Sequence, residues 1–190
     1  MKTACVGDTM IRAKGIFWLN LKKQITEQGG PQALADTLAG LSPEDQAIFA
    51  QSITAVSWVD YGAIMRLILH YHKGSVAALK EGSVWAAHEN LKGVYRTFIS
   101  MTSPRFICKN IPLLWKQYFD SGKLALDWVN TNHVVLRISG VVGMPKHHED
   151  NFLPFLEEAL RIAGAKDVYG FHSKCLARGD SHCRIELRWK

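Results

Sequence analysis

His172, Cys175 and Cys183, all within "FHSKCLARGDSHC", are the residues of this chain whose types and spacing best suit metal binding or a disulfide. Thiolates and imidazoles are the donors of tetrahedral transition-metal sites. A hairpin closed by a disulfide, two buried thiols and half of a metal site would each place cysteines this way. A hairpin centred on Gly179, the residue best suited to a positive φ, makes Cys175 face Cys183, Ser173 face Ile185, Phe171 face Leu187 and Tyr169 face Trp189 on the core side. The opposite side then takes His172 with Glu186 and Lys174 with Arg184. By this register alone, two buried thiols is the simplest reading, since free cysteine is among the most buried residue types. A metal site needs His172 and an upstream histidine, His147 or His148. Strand parity turns His172 away from Cys175, so coordination requires a break or bulge between them.

The elements that must position these residues change character along the chain. Up to about residue 122 the pattern is helical. "GIFWLNLKKQITEQGG" ends at a glycine pair, and Pro31 opens a short second helix. "LSPEDQAIFAQS" starts with Ser42 as cap, Pro43 in the first turn and acids where the helix dipole favours them. "VDYGAIMRLILHYHKG" is apolar on nearly every face and is closed by Gly74. The stretch from Ser75 to Ser100 carries Val84, Trp85, His88, Leu91, Tyr95 and Phe98 at helical steps. Pro104 and Pro112 punctuate the next stretch, and "IPLLWKQYFDSG" reads as one more helix, stopped by Gly122.

After Gly122 the period is that of strands. "KLALDWVN" and "HVVLRISGVV" meet at a turn at Thr131-Asn132. "HHEDNFLPFLEEALRIAGA" is a helix with Phe152, Phe155, Leu156 and Leu160 inward, and the cysteine hairpin comes after it. The expected fold is α+β, a helical layer packed on a four-stranded antiparallel sheet made of two hairpins with a helix between them. A single domain is expected over 1–190, its helical part about 15–122 and its sheet part about 123–190.

The 190 residues are 47% hydrophobic and 21% charged, an ordinary globular composition. The formal net charge of +6 is scattered among acids, with Lys22-Lys23 the only adjacent basic pair, so a solvated surface is expected and nucleic acid is not. The N-terminal stretch resembles neither a secretory signal nor a membrane span, which points to the cytoplasm and to reduced cysteines.

"GFHSKCLARGDSHCRIELRW" resembles the C-terminal signature of 4-vinyl-reductase-like small-molecule-binding domains. "LKGVYRTFISMTSPRFICKNIPLLWKQYFDSGKL" and "LRIAGAKDV" resemble a related myxobacterial family of about this length. The resemblance implies a structural zinc ion, with Cys175 and Cys183 in the places of two family cysteines and His172 in that of an acidic ligand. The family's upstream cysteine has no counterpart. The corresponding region is "KHHEDN", where His148 is chosen, with His147 and Glu149 next. It also implies a pocket between helices and sheet, with Trp128 near a pocket tryptophan and Trp85 and Tyr95 as further wall residues. Aromatics at helical spacing are, however, more often core packing than ligand contacts.

The sequence lacks G-x-G-x-x-G, P-loop, G-x-S-x-G and H-E-x-x-H motifs. Cys108 would be a nucleophile only if a histidine approached it. Haem through His88 or His133 has no attachment motif behind it. The Arg178-Gly179-Asp180-Ser181 tetrapeptide is read as turn chemistry. The expectation is a non-enzymatic sensory or regulatory module for a small apolar or aromatic ligand, homodimeric, with a protein partner for output. The alternatives are a scaffolding protein of similar fold or an enzyme related to tetrapyrrole metabolism.

Overall fold

Short polar side chains set the helix starts. In the computed structural model, which describes residues 10–90 and 103–190, Ser42 Oγ accepts the Asp45 N–H at 3.3 Å to open α2 (Pro43–Phe49). Asp60 Oδ1 accepts the Ala63 N–H at 2.6 Å to open α3 (Tyr61–Tyr71). Ser103 Oγ accepts the Phe106 N–H at 3.2 Å to open α5 (Pro104–Tyr118). Each satisfies a donor that the first helical turn leaves without a partner. The first helix, α1 (Ile16–Ala39), is broken at Gly30, whose φ of 80° and ψ of 174° are not helical, so Pro31 begins a second segment as its ring requires. Between α3 and α5 lies α4 (Val76–Asn90). Leu91, Tyr95 and Phe98, expected on the same helix, fall outside the described residues.

Two features depart from the sequence reading. A two-stranded ribbon, β1 (Arg12–Lys14) with β2 (Trp58–Asp60), pairs Ala13 with Val59 and joins the N-terminal segment to the start of α3. Three-residue strands are too short to show an alternating pattern. Helix α5 starts at Pro104 rather than near Ile111, so Pro112 lies in its interior instead of its first turn.

The main sheet is antiparallel, with the order β3 (Lys123–Asn130), β4 (His133–Ser139), β6 (Cys183–Arg188), β5 (Tyr169–Lys174). Helix α6 (His148–Ile162) lies between the two hairpins in sequence. The first hairpin turns at Thr131-Asn132 as expected, with the Asn132 N–H donating to Asn130 Oδ1 at 2.9 Å. Val134, Leu136 and Ile138 of β4, with Ile185 and Leu187 of β6, are buried in one core with Leu156 and Leu160 of α6. Burying each such side chain contributes about 1.5–3 kcal/mol. On the helical side the core continues through Tyr61, Trp115 and Phe119. The Trp115 and Phe119 rings stack at 4.2 Å, and Tyr61 meets Phe119 edge to face at 5.1 Å.

The second hairpin corrects the expected register. Tyr169 pairs with Arg188, Phe171 with Glu186 and His172 with Ile185, and a bulge between His172 and Lys174 restores Lys174 to Arg184. One residue of slip exchanges the faces of a strand. His172 therefore turns inward, while Tyr169 and Phe171, expected in the core, are 59% and 50% exposed.

Candidate metal centre

The bulge removes the parity obstacle. With His172 on the inner face and β5 ended by the turn Leu176–Arg178, the chain reverses so that Cys175 and Cys183 approach each other near the start of α6. Gly179 closes the turn at φ 90°, a conformation that other residues adopt only with strain. Asp180 Oδ2 accepts the Cys175 N–H at 2.7 Å, fixing the position of the first sulfur. The fourth residue arrives on α6, whose first residue is His148. His147, just before it, holds a left-handed φ of 62° that starts the helix.

The donor atoms of His148, His172, Cys175 and Cys183 all lie within 4.8 Å of one another. His148 Nε2 is 3.6 Å from Cys183 Sγ and 4.0 Å from Cys175 Sγ. The two imidazoles meet edge to face with ring centroids 5.3 Å apart. Cys183 is fully buried, and the His172 side chain is 4% exposed. The sequence pointed to these four residues as candidate ligands, and they are adjacent in space.

Their protonation follows from burial. His148 donates its Nδ1 proton to the Pro145 carbonyl at 2.8 Å, which leaves the Nε2 lone pair facing the sulfurs. Burial pushes its imidazolium down to about 4, against that carbonyl's pull, so the ring is neutral at pH 7. Burial also lowers His172, although the Glu149 carboxylate beside it acts in the opposite direction. Burial pushes the Cys183 thiol up to about 12. The sulfur also accepts the Leu176 N–H at 3.3 Å.

One atom is left without a partner. His172 Nδ1 lies against the Glu149 carboxylate, and His172 Nε2 is buried with no hydrogen-bond partner among the described residues. A buried polar atom of this kind costs roughly 1–3 kcal/mol unless something meets it. A cation among the four donors would meet it and would be held by the cysteines as thiolates. Glu149, carried by α6 beside His148, also takes Arg178 Nη1 on both oxygens at 2.8 Å, and Arg178 Nη2 donates to the His172 carbonyl at 3.2 Å. Sequence reasoning named Glu149 only as a substitute ligand. Its place behind His172 depends on the bulge, which the sequence does not mark.

The aromatic residues expected around a ligand have separate surroundings. Trp128 stands on β3, edge to face with Trp189 at 6.4 Å and capped by the Arg105 guanidinium at 4.7 Å. Trp85 on α4 lines a groove with residues of α1 and α3. Tyr95 lies outside the described residues. Cys108 is buried in the core, which pushes its thiol up to about 12 and keeps it protonated. His88 pairs with Glu158 at 2.9 Å and His133 with Glu186 at 3.0 Å. Among the described residues, no helix is long and apolar enough to cross a membrane.

No family model matches the sequence, and no curated protein does. Solved structures do match the fold. An H-NOX protein from S. oneidensis in the Fe(II)NO ligation state is 14% identical at a TM-score of 0.66, over 93% of this chain and 99% of that one. An H-NOX protein from K. algicida, Fe(II) unliganded, is 9% identical at a TM-score of 0.66, over 93% and 96%. An oxygen-binding H-NOX domain related to soluble guanylate cyclases, in its oxygen complex, is 12% identical at 0.64, over 93% and 95%.

These matches correct two expectations. The fold is similar to that of H-NOX domains, not placed with the 4-vinyl-reductase-like domains to which the C-terminal hairpin pointed. A terminal hairpin and two shorter stretches are too little sequence to separate folds that share an order of elements, so the related myxobacterial family falls with it. The zinc expected from the cysteine and histidine spacing and from that resemblance is corrected too, since the matching structures are described in Fe(II) and oxygen-bound states.

Proposed function

We propose that this chain is a non-enzymatic sensory or regulatory domain for a small molecule, with a first-row transition-metal ion held by His148, His172, Cys175 and Cys183 tying its C-terminal hairpin to α6. The observation that carries the metal centre is the convergence of one donor atom from each of the four residues within 4.8 Å, at a His172 ring that is buried with Nε2 unpartnered among the described residues. The sensory reading is supported by the fold, since one similar domain is described as oxygen-binding.

The proposed centre differs from the iron of those neighbours, which takes NO or oxygen. All eight histidines lie among the described residues. His88, His133 and His147 face Glu158, Glu186 and Asp150, and His182 meets the Ser181 hydroxyl. His70 is exposed, and His72 packs beside Gly82. The other two belong to the cluster. Four protein donors complete a tetrahedral shell and leave no open position, so its expected role is to hold the hairpin.

The same proposal includes a homodimer. Tyr169 and Phe171 share the outer face of the edge strand β5, and a second copy would bury them. Sedimentation of the parent and of Phe171→Lys tests this part, with a dimer expected for the parent and a monomer for the variant.

The metal centre is tested by elemental analysis of the untagged, full-length protein against Cys183→Ser. About one equivalent of a single first-row metal in the parent and less than about a tenth of that in the variant is expected. Two folded proteins, both without metal, would defeat it.

A further inference from the structure

Gln24 lies on α1 with its side-chain amide buried, the residue only 4% exposed, and Nε2 has no hydrogen-bond partner among the described residues. This amide lines a groove of about 560 Å³ with Tyr71, His72 and Lys73 from the end of α3 and Gly82 and Trp85 from α4. The volume is that of small-molecule sites. Gly82 keeps the groove open. A Cβ there would lie 2.7 Å from His72 Nε2 and 3.1 Å from Gln24 Nε2. Helices favour alanine over glycine by about 1 kcal/mol, so a bare residue mid-helix costs stability unless the space is used.

The walls define a chemistry. Trp85, Tyr71 and His72 offer ring surfaces. Gln24 offers an amide donor that nothing described accepts, and Lys73, held at a left-handed φ of 52°, adds a cation, with Glu81 the acid on the rim. We infer that this groove binds a planar aromatic molecule bearing a carbonyl or carboxylate, its oxygen accepting from Gln24 Nε2 while its ring lies against Trp85. The inference rests on the small-molecule reading above but not on the metal centre, with which the groove shares no residue.

The test is an NMR titration of the full chain with indole-3-carboxylate, indole-3-carboxamide and indole, with metal content measured on the same preparation so that the two proposals fail separately. The Trp85 indole N–H and the Gln24 side-chain amide should shift and saturate with the two acceptor-bearing compounds, and indole should bind about tenfold more weakly. Gln24→Leu removes an unsatisfied donor and Gly82→Ala restores helix propensity. Both should fold, as their amide spectra will report, and both should bind the carboxamide about tenfold more weakly. Equal binding of indole, unchanged affinity in both folded variants, or no shift at Trp85 would overturn the inference.

Discussion

Cys183 Sγ lies 3.6 Å from His148 Nε2 although 35 residues separate them. One local device aims His148 at that sulfur, and a second brings His172 and Cys175 to the same place. The left-handed His147 aims the first turn of α6 at the sheet, and the bulge between His172 and Lys174 lets β5 deliver a histidine and a cysteine to one side.

Glu149 stands behind His172 as a carboxylate behind a ligating imidazole, fixing the ring and raising its basicity. Glu149→Gln should therefore weaken metal binding by about 10- to 100-fold. Competition with a chelator measures this, while an unchanged far-UV spectrum keeps the effect apart from loss of fold.

Gly179 is held at φ 90° with open space where a Cβ would be. The cost of Gly179→Ala is thus conformational rather than steric, about 1 kcal/mol. Urea unfolding should show a lower midpoint with an unchanged slope. A midpoint equal to the parent's would mean that the turn is not held left-handed in solution.

The legibility of each feature in the sequence depends on the scale of its signal. The turn at Gly179, the cap at Ser42 and the break at the Gly29-Gly30 pair are local chemistry, and each stands where the residues indicated. His172 paired with Ile185 was not readable, because a single-residue bulge leaves no mark in the alternation and reverses every assignment beyond it. That same slip moved Tyr169 and Phe171 from the expected core to the surface. The four candidate ligands were identified by residue type and by a resemblance. The fold comparison withdrew that resemblance, while their adjacency rests on geometry alone.

Asp45 is almost completely buried, and Arg66 grips it with Nε at 2.8 Å and Nη2 at 2.6 Å, tying α3 to α2. Asp45→Ala should cost about 1–2 kcal/mol, held to the lower part of the range for charged bonds because the Arg66 guanidinium still reaches water. Thermal unfolding checks the value, and Arg66→Ala made alone should cost more than Asp45→Ala, because it leaves the buried Asp45 carboxylate without its partner.

Glu186 sits between Arg184 and Arg188 on β6 and His133 on β4, and these donors hold its carboxyl at about 2, below its ordinary 4.5. The folded form is the weaker proton binder, so the unfolded chain takes up more protons between these values. Its contribution to stability is complete above about 4.5 and is lost as the pH falls through 2. Glu186→Gln should flatten that acid limb. An NMR titration placing the Glu186 carboxyl near 4.5 in the folded protein would contradict it.

The metal centre is tested most directly by titrating metal-free protein with Co(II) and recording its absorption. Two thiolates and two imidazoles in a tetrahedron should give sulfur-to-cobalt charge-transfer bands and intense d–d bands that saturate at one equivalent, and both should vanish in Cys175→Ser/Cys183→Ser. Weak octahedral bands without charge transfer, the same in parent and variant, would show that the four side chains do not act as one site.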